Sequence, residues 1–258
     1  MSRFDAIVTP TRTIASEVFY QTGIQSQVIG YGLNPELFYQ ATLSKTKEIT
    51  LRKQLGLPEN VPVLLHVGRL DLDKNVERVI LAAAQAMTNR NAHLVVIGDG
   101  TEKNNLINMC HEHGIGTRSH FPGFVDREQV LPDIFRLASV FVTASEIETQ
   151  GLVLLEAAAC GLPITAVAAT CIPEIVRDGV NGYLVAPGDV AGLAAQIRRL
   201  LDDPAVARSM GSVGSLISQV FSLEKTLLAH EALYRRAVDR VKSHYYSRKK
   251  ARVVFRTS

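Results

Sequence analysis

The sequence predicts an α/β domain in which a parallel sheet carries helices on both faces. Short β-branched runs alternate along the chain with amphipathic, helix-favouring runs, and this order produces βαβ units. Glycines and charged residues follow several of the predicted strands directly, as they do at the ligand-binding edge of such sheets. With 258 residues, 47% of them hydrophobic, the chain could form one large domain or two small ones.

The predicted elements follow from these runs in chain order. β-branched and apolar runs predict strands near residues 26–30, 62–67, 93–97, 118–121, 139–142, 163–166 and 182–185. Amphipathic runs predict helices near residues 75–88, 102–113, 127–137, 151–160, 189–202, 204–219 and 223–241. The helix near 127–137 is given an acidic start by Asp126, Arg127 and Glu128.

Two carboxylates bracket a glycine at the start of one predicted helix. Gly151 lies near that start, where unpaired N–H groups and the positive end of the helix dipole favour an anion such as a pyrophosphate. Glu148 lies just before this end, and Glu156 lies one to two turns inside the helix. Because carboxylates accept hydrogen bonds from hydroxyls, a sugar and a ribose are the natural partners of these two side chains.

A pair of basic residues follows the predicted strand at 62–67. Arg69 offers a planar fork of donors and Lys74 a compact point charge, which together suit a diphosphate. The alternative is a solvated loop in which Arg69 and Lys74 form surface salt bridges with Asp71 or Asp73. The other motifs of the chain favour the phosphate clamp.

Together these motifs resemble those of retaining glycosyltransferases with the GT-B fold, and most closely glycosyltransferase family four with its Glu-x7-Glu signature. The resemblance covers roughly residues 62–240 and implies a Rossmann-like sheet, the C-terminal half of a GT-B fold. The motifs that carry it are residues 63–70 with Lys74 and Asn75, residues 94–100, 121–125 and 148–156, and residues 173–182.

The resemblance implies a role for each of these residues. Arg69, Lys74 and Glu148 would be catalytic: the two cations would stabilise the departing diphosphate without a metal, and Glu148 would contact donor-sugar hydroxyls. Glu156 would hold the ribose hydroxyls, and its apolar neighbours predict that it is largely buried; the alternative is an acid that only complements the helix dipole. The remaining donor-binding positions would be Gly68, Gly98, Gly100, Val125, Thr149, Gln150, Gly151 and Leu152.

The resemblance also implies domain boundaries within the chain. Residues 1–40 would be the remnant of an N-terminal acceptor domain, 41–60 a linker and first helix, 61–242 the nucleotide-sugar donor domain, and 243–258 a basic tail. The acceptor site of the family belongs to the other half, so we expect the chain to be a fragment or the product of a truncated reading frame.

The expected partner is a nucleotide-diphospho sugar, with no cofactor. Uridine and guanosine diphosphate donors both stay open, with UDP-glucose slightly favoured. The acceptor would be a lipid or a glycan; the sequence at 148–151 resembles a subgroup that includes diacylglycerol glucosyltransferases, which favours a lipid. The alternative functions are a non-catalytic nucleotide-sugar-binding module and a GT-B nucleotide-sugar epimerase.

Charge and cysteine content bear on where the protein acts. From Arg235 onward nine lysine and arginine residues stand against one acid, interleaved with Tyr245, Tyr246 and Phe255. This basic tail would either touch an anionic membrane surface or be a solvated end; nucleic acid binding is disfavoured because no binding motif accompanies the charge. The sequence shows neither a signal peptide nor an apolar run long enough to span a membrane.

The chain's three cysteines form no paired framework, which predicts free thiols in the cytoplasm. Cys110, His111, Glu112 and His113 are better explained as the polar surface of a helix than as a metal site, because no further ligands accompany them. We therefore expect a cytoplasmic protein, peripheral at the inner face of the membrane if its tail binds lipid.

Overall fold

The computed structural model describes the backbone of residues 6–39 and 43–254, and the side chains as far as residue 242 except that of Pro35. The described elements follow one another in the order β1 (Val8–Thr9), α1 (Arg12–Thr22), β2 (Gln27–Val28), α2 (Pro35–Phe38), α3 (Lys45–Gln54), β3 (Val63–Val67), α4 (Val76–Ala86), β4 (His93–Ile97), α5 (Lys103–Glu112), β5 (Ser119–Gly123), α6 (Leu131–Leu137), β6 (Val140–Thr143), α7 (Leu152–Ala159), β7 (Ile164–Val167), α8 (Ile172–Ile175), β8 (Gly182–Val185), α9 (Val190–Asp202), α10 (Pro204–Ser218) and α11 (Leu223–Val254). None of the described helices is both long enough and apolar enough to cross a bilayer.

The chain divides into two compact units. The larger unit comprises Leu33–Val220, and the smaller combines the described residues up to Gly32 with those from Phe221 onward. In the smaller unit β1 and β2 pair in parallel, and Thr226 on α11 donates a hydrogen bond to the Gly30 carbonyl oxygen at 3.1 Å. The predicted domain ranges stay a prediction, and the compact units divide the chain at other positions.

A six-stranded parallel sheet forms the centre of the larger unit. Its strand order is β5-β4-β3-β6-β7-β8, and every residue of β3, β4, β6 and β7 is buried. Strands buried on both sides are typical of parallel sheets covered by helices. The predicted α/β class, a parallel sheet with helices on both faces, is confirmed.

The strand order creates a topological switch point in the middle of the sheet. From β3 the chain adds β4 and then β5 on one side, and it then returns to add β6 on the other side of β3. The crevice outside the carboxyl ends of two such strands is where open α/β sheets bind ligands. The loops after β3 and β6 are therefore the first place to look for a site.

Helices α1, α2 and α8 were not predicted, and two of the predicted helices have different bounds in the structure. The helix predicted at 127–137 begins at Leu131, and residues 127–130 form a turn in which Asp126 Oδ1 accepts hydrogen bonds from the N–H groups of Glu128 and Gln129. Helix α11 continues to Val254, well beyond the predicted end at 241, because its sequence contains no glycine or proline and is rich in lysine and arginine. The backbone of the predicted basic tail is thus helical to Val254, whereas Phe255 lies outside the described residues.

A pair of adjacent histidines is expected to make the stability of the larger unit depend on pH. His93 Nδ1 lies 2.9 Å from His120 Nε2, and burial lowers the pKa of both imidazoles from 6.5. Because the unfolded chain then binds more protons than the folded one, this contribution is present above pH 6.5 and is lost as the pH falls.

We therefore expect the urea midpoint of unfolding to be lower at pH 5 than at pH 7.5. Replacing both histidines by phenylalanine should reduce that difference, whereas replacing the exposed His113 by glutamine should leave it unchanged. A pH dependence that is the same in all three proteins would show that this pair does not cause it.

Candidate functional site

The loops at the carboxyl ends of β3, β4 and β5 are joined by backbone hydrogen bonds. The N–H of Gly68 donates to the Ile97 carbonyl oxygen at 3.0 Å, and the N–H of Gly98 donates to that of Gly123 at 3.0 Å. The strand pairing thus continues past the strand ends. Of the predicted donor-binding residues, the structure brings Gly68 and Gly98 into contact here.

These glycines are required by the close approach of the loops. Gly98 has a φ of +133°, and a Cβ on it would collide with the Gly68 carbonyl oxygen. A Cβ on Gly100 would lie 2.5 Å from the carbonyl carbon and oxygen of Leu70. The structure therefore gives both residues a reason to be glycine, and their predicted contact with a nucleotide stays a prediction.

Lys74 and Glu148 meet across the topological switch point. Lys74 Nζ lies 2.7 Å from Glu148 Oε1 and 3.0 Å from the Ile147 carbonyl oxygen, and each charged side chain is only 17% exposed. Lys74 ends a short 3₁₀ turn after β3, and Asn75, in the left-handed conformation at φ 50°, donates a hydrogen bond to the Ala144 carbonyl oxygen. The sequence placed both charges at this edge of the sheet, and the structure shows that they form an ion pair.

Arg69, unlike Lys74, forms ion pairs with acids close to it in the sequence. Its guanidinium contacts Asp71 at 2.5 Å and Asp73 at 2.8 Å, and its side chain is 61% exposed. These are the surface salt bridges that the sequence offers as the alternative to a phosphate clamp. Asp71 also accepts hydrogen bonds from the backbone and side chain of Thr101, which ties Arg69 to the loop after β4. A catalytic role for Arg69 stays a prediction.

The segment around Glu148 is held by the loop after β7. The N–H of Glu148 donates to Thr170 Oγ1 at 3.2 Å, and Cys171 Sγ donates to the Glu148 carbonyl oxygen at 3.3 Å. Next along the chain, Thr149 is exposed and Gln150 is buried. This segment therefore presents Glu148 and Thr149 at the same edge as Lys74.

Helix α7 begins directly after this segment. Its first residue is Leu152, and Gly151 is the N-cap with a φ of +67°, which explains why glycine occupies this position. Six of the eight residues of α7 are buried. The helix start predicted at Gly151 is therefore confirmed, and the helix that carries Glu156 is part of the core.

Glu156 is a buried carboxylate, as its apolar neighbours predicted, with a solvent exposure of 1%. Its Oε1 accepts a hydrogen bond from Arg127 Nη2, and its Oε2 is buried without a hydrogen-bond partner among the described residues. Burial raises the pKa of Glu156 above its ordinary value, although Arg127 opposes this shift. Oε2 is therefore an acceptor with capacity for one more donor.

The sequence missed three residues that line this region. Arg127 was assigned to a helix start, although it lies in the turn before α6 and reaches Glu156. Arg78 on α4 contacts Glu146. His66 on β3 is buried, its Nδ1 lies 2.9 Å from the Val142 carbonyl oxygen, and its Nε2 has no partner among the described residues. The sequence contains one indication of His66, which is the single polar residue in the apolar run of β3. Nothing in the sequence indicated that Arg78 and Arg127 would lie here.

Val125, the predicted base-contacting residue, lies in the loop after β5. It is half-buried, next to Phe124, whose side chain is 78% exposed. This loop leads within two residues to Arg127. Elsewhere in the described part of the chain, no group of three or more His, Cys, Asp or Glu side chains is arranged to hold a metal ion.

Comparisons with known proteins place this arrangement in context. The profile of the family described as "Glycosyl transferases group 1" matches residues 47–215. The chain is 32% identical over 185 residues to N-acetyl-alpha-D-glucosaminyl L-malate synthase of Bacillus anthracis, a match that covers 71% of this chain and 48% of the relative. It is 33% identical over 208 residues to D-inositol 3-phosphate glycosyltransferase of Streptomyces avermitilis, covering 75% and 45%.

Solved structures share the fold. Sucrose-phosphate synthase from Thermosynechococcus elongatus superposes with a TM-score of 0.80 at 31% identity, over 91% of this chain and 59% of that one. Anabaena HepE in complex with UDP-glucose superposes with a TM-score of 0.80 at 25% identity, over 90% and 65%. The chain thus spans about half the length of the curated relatives it matches.

Proposed function

We propose, because the chain belongs to the family of group 1 glycosyl transferases, that it binds a nucleotide-diphospho sugar and transfers the sugar to an acceptor with retention. The chain would supply the donor-binding half of a GT-B enzyme. The observation that carries this proposal is the Lys74–Glu148 ion pair at the switch point between β3 and β6.

The Lys74–Glu148 pair suits the chemistry of a leaving diphosphate. Glycosyl transfer breaks the bond between the anomeric carbon and a phosphate oxygen, so negative charge grows on the diphosphate. Lys74, fixed beside this position, would stabilise that charge, and such preorganised groups contribute roughly 2.7–4 kcal/mol in other enzymes. Glu148 would turn from Lys74 to the hydroxyls of the donor sugar when the diphosphate takes its place.

Glu156 suits the nucleoside end of the same ligand. Its Oε2 has no partner among the described residues and is buried, so a ribose hydroxyl would satisfy an acceptor that is otherwise costly to leave unpaired. The start of α7 lies between Glu148 and Glu156 along the chain, and Val125 would meet the base from the loop after β5. Along the chain, Glu148, the start of α7 and Glu156 follow the order of sugar, diphosphate and ribose.

The donor we propose is a uridine diphosphate sugar, with glucose preferred. The support is the similarity to Anabaena HepE, which was solved with UDP-glucose. Calorimetric titration of the chain with UDP, GDP, ADP and UDP-glucose, in EDTA, tests the proposal. We expect selective binding of UDP and UDP-glucose and at least tenfold weaker binding of uridine. Equal affinity for uridine and UDP would exclude a diphosphate site.

The acceptor and the catalytic competence are the parts of this proposal that turnover measurements test. A non-catalytic nucleotide-sugar-binding module is the second candidate, because the chain spans about half the length of its relatives. Turnover of UDP-glucose separates the two functions, because a transferase consumes the donor and a binding module does not. We propose a lipid acceptor, reached through the basic end of α11; faster turnover with diacylglycerol in anionic vesicles than with a soluble glycan is the expected result, and the reverse would favour a glycan.

A further inference from the structure

We propose that Arg127 is a positioning residue: it holds one oxygen of Glu156 and leaves the other as the acceptor for a ribose hydroxyl of the nucleotide. This inference rests on the proposed function and adds a residue to it. The two side chains come from different parts of the fold, since Arg127 lies in the turn before α6 and Glu156 lies on α7.

Arg127 contacts only one of the two carboxylate oxygens of Glu156. Arg127 Nη2 donates to Glu156 Oε1, whereas Oε2 of the same carboxylate is buried and has no partner among the described residues. The Arg127 side chain is 60% exposed and the Glu156 side chain 1% exposed. Arg127 is therefore largely exposed, but its guanidinium contacts a carboxylate that is buried from solvent. This contact occupies Oε1 and leaves Oε2 as the acceptor without a partner among the described residues.

The turn that carries Arg127 is itself well fixed. Asp126 Oδ1 accepts hydrogen bonds from the N–H groups of Glu128 at 2.9 Å and Gln129 at 2.7 Å, and the Asp126 carbonyl oxygen accepts from Leu131 at 2.9 Å. Arg127 lies inside this hydrogen-bonded turn. Its backbone position is therefore set before any ligand binds.

Arg127 is the cation that acts on Glu156 among the described residues. The other titratable group that faces Glu156 is the Cys160 thiol, one turn further along α7. The charged groups on the neighbouring elements face elsewhere. Asp133 and Arg136 on α6 face Cys160, and Glu174 on α8 faces Cys171. Asp203, directly before α10, and Arg208 on α10 are exposed.

The chemistry gives this contact a function. A carboxylate with one desolvated oxygen tends to take up a proton, and a protonated carboxyl group is a weaker acceptor for a ribose hydroxyl than a carboxylate. The positive charge of the Arg127 guanidinium opposes the uptake of that proton by Glu156. Without Arg127, Glu156 would therefore be an effective acceptor only at higher pH.

The test measures the affinity for UDP from pH 5.5 to pH 8.5 in three variants and the unchanged chain. In Arg127→Met we expect affinity at least tenfold weaker than in the unchanged chain at pH 6, with recovery as the pH rises. Arg127→Lys should keep most of the affinity, and Arg208→Met, which removes an exposed arginine from α10, should match the unchanged chain at every pH.

A second ligand isolates the ribose contact. The preference for UDP over 2′,3′-dideoxy-UDP should shrink at pH 6 in Arg127→Met and stay intact in Arg208→Met. A loss that is equal at every pH, with the preference unchanged, would overturn the proposal and leave Arg127 a merely structural or phosphate-binding role. If the unchanged chain binds UDP and Arg127→Met behaves like Arg208→Met, this inference fails alone; if the unchanged chain binds no UDP, the proposed function fails with it.

Discussion

Replacing Glu156 by methionine is expected to weaken UDP binding at least tenfold while raising the free energy of unfolding by about 1–3 kcal/mol, the cost of an unsatisfied buried acceptor. Methionine has a similar length and needs no hydrogen bond, so it removes a buried carboxylate oxygen that has no partner among the described residues. Arg127, left without its partner, is 60% exposed and can be hydrated. Urea unfolding and calorimetric titration of the same variant measure the two effects.

The gain in stability has a defined pH dependence. Burial raises the pKa of Glu156 above 4.5, so its neutral form is the one that the fold favours. Below the pKa that Glu156 has in the unfolded chain, the side chain therefore does not destabilise the folded state. It lowers the free energy of unfolding as the pH rises through the pKa that it has in the folded chain. The advantage of Glu156→Met should accordingly be larger at pH 8 than at pH 4.5.

An exposed acid provides the control for this prediction. Glu128 lies in the turn beside Arg127 and is exposed, so Glu128→Met should change neither the stability nor the affinity by much. A loss of stability in Glu156→Met at neutral pH would show that Glu156 supports the fold. A gain in stability with unchanged affinity for UDP would remove the ribose role and leave Glu156 unexplained.

Replacing Lys74 by methionine is expected to weaken UDP binding by about 10- to 100-fold and to leave uridine binding within about twofold. A hydrogen bond to a charged group contributes about 1.5–3 kcal/mol, and here the variant also leaves Glu148 unpaired beside the diphosphate. Arg69→Met should have a smaller effect, because Arg69 is more exposed and already engaged by Asp71 and Asp73. Titration with the two ligands separates diphosphate from nucleoside.

Two further variants sharpen this experiment. Lys47 on α3 forms an ion pair with Asp133 at 3.1 Å, so Lys47→Met removes a paired lysine elsewhere in the larger unit and should leave both affinities unchanged. Adding Glu148→Gln to Lys74→Met should restore part of the affinity for UDP, since the repulsion is gone, but not that for UDP-glucose. Equal losses for uridine and UDP in Lys74→Met would contradict a phosphate contact.

Features that depend on residues close together along the chain could be predicted from the sequence. The strands were predicted because β-branched runs alternate with amphipathic ones, and the buried position of Glu156 was predicted because leucines and alanines surround it in α7. The start of α7 at Gly151 was predicted for the same kind of reason. These properties are local, and the fold preserves them.

Features that depend on distant residues were not predictable in the same way. The pairing of Lys74 with Glu148 requires β3 and β6 to be neighbours and Asn75 to adopt its left-handed conformation. The reach of Arg127 to Glu156 depends on a turn in which Asp126 accepts hydrogen bonds from the N–H groups of Glu128 and Gln129. A long, flexible side chain gives no signal in the sequence of where its end will lie.

The contact between Gly68 and Gly98 sets a limit on how this site can diverge in evolution. Any other residue at Gly98 would collide with the Gly68 carbonyl oxygen, and displacing Gly68 would break its bond to Ile97. Substitutions at Gly98 are thus eliminated for reasons of folding, whatever the ligand. New ligand preferences are therefore expected to arise across the crevice, at positions such as the exposed Thr149.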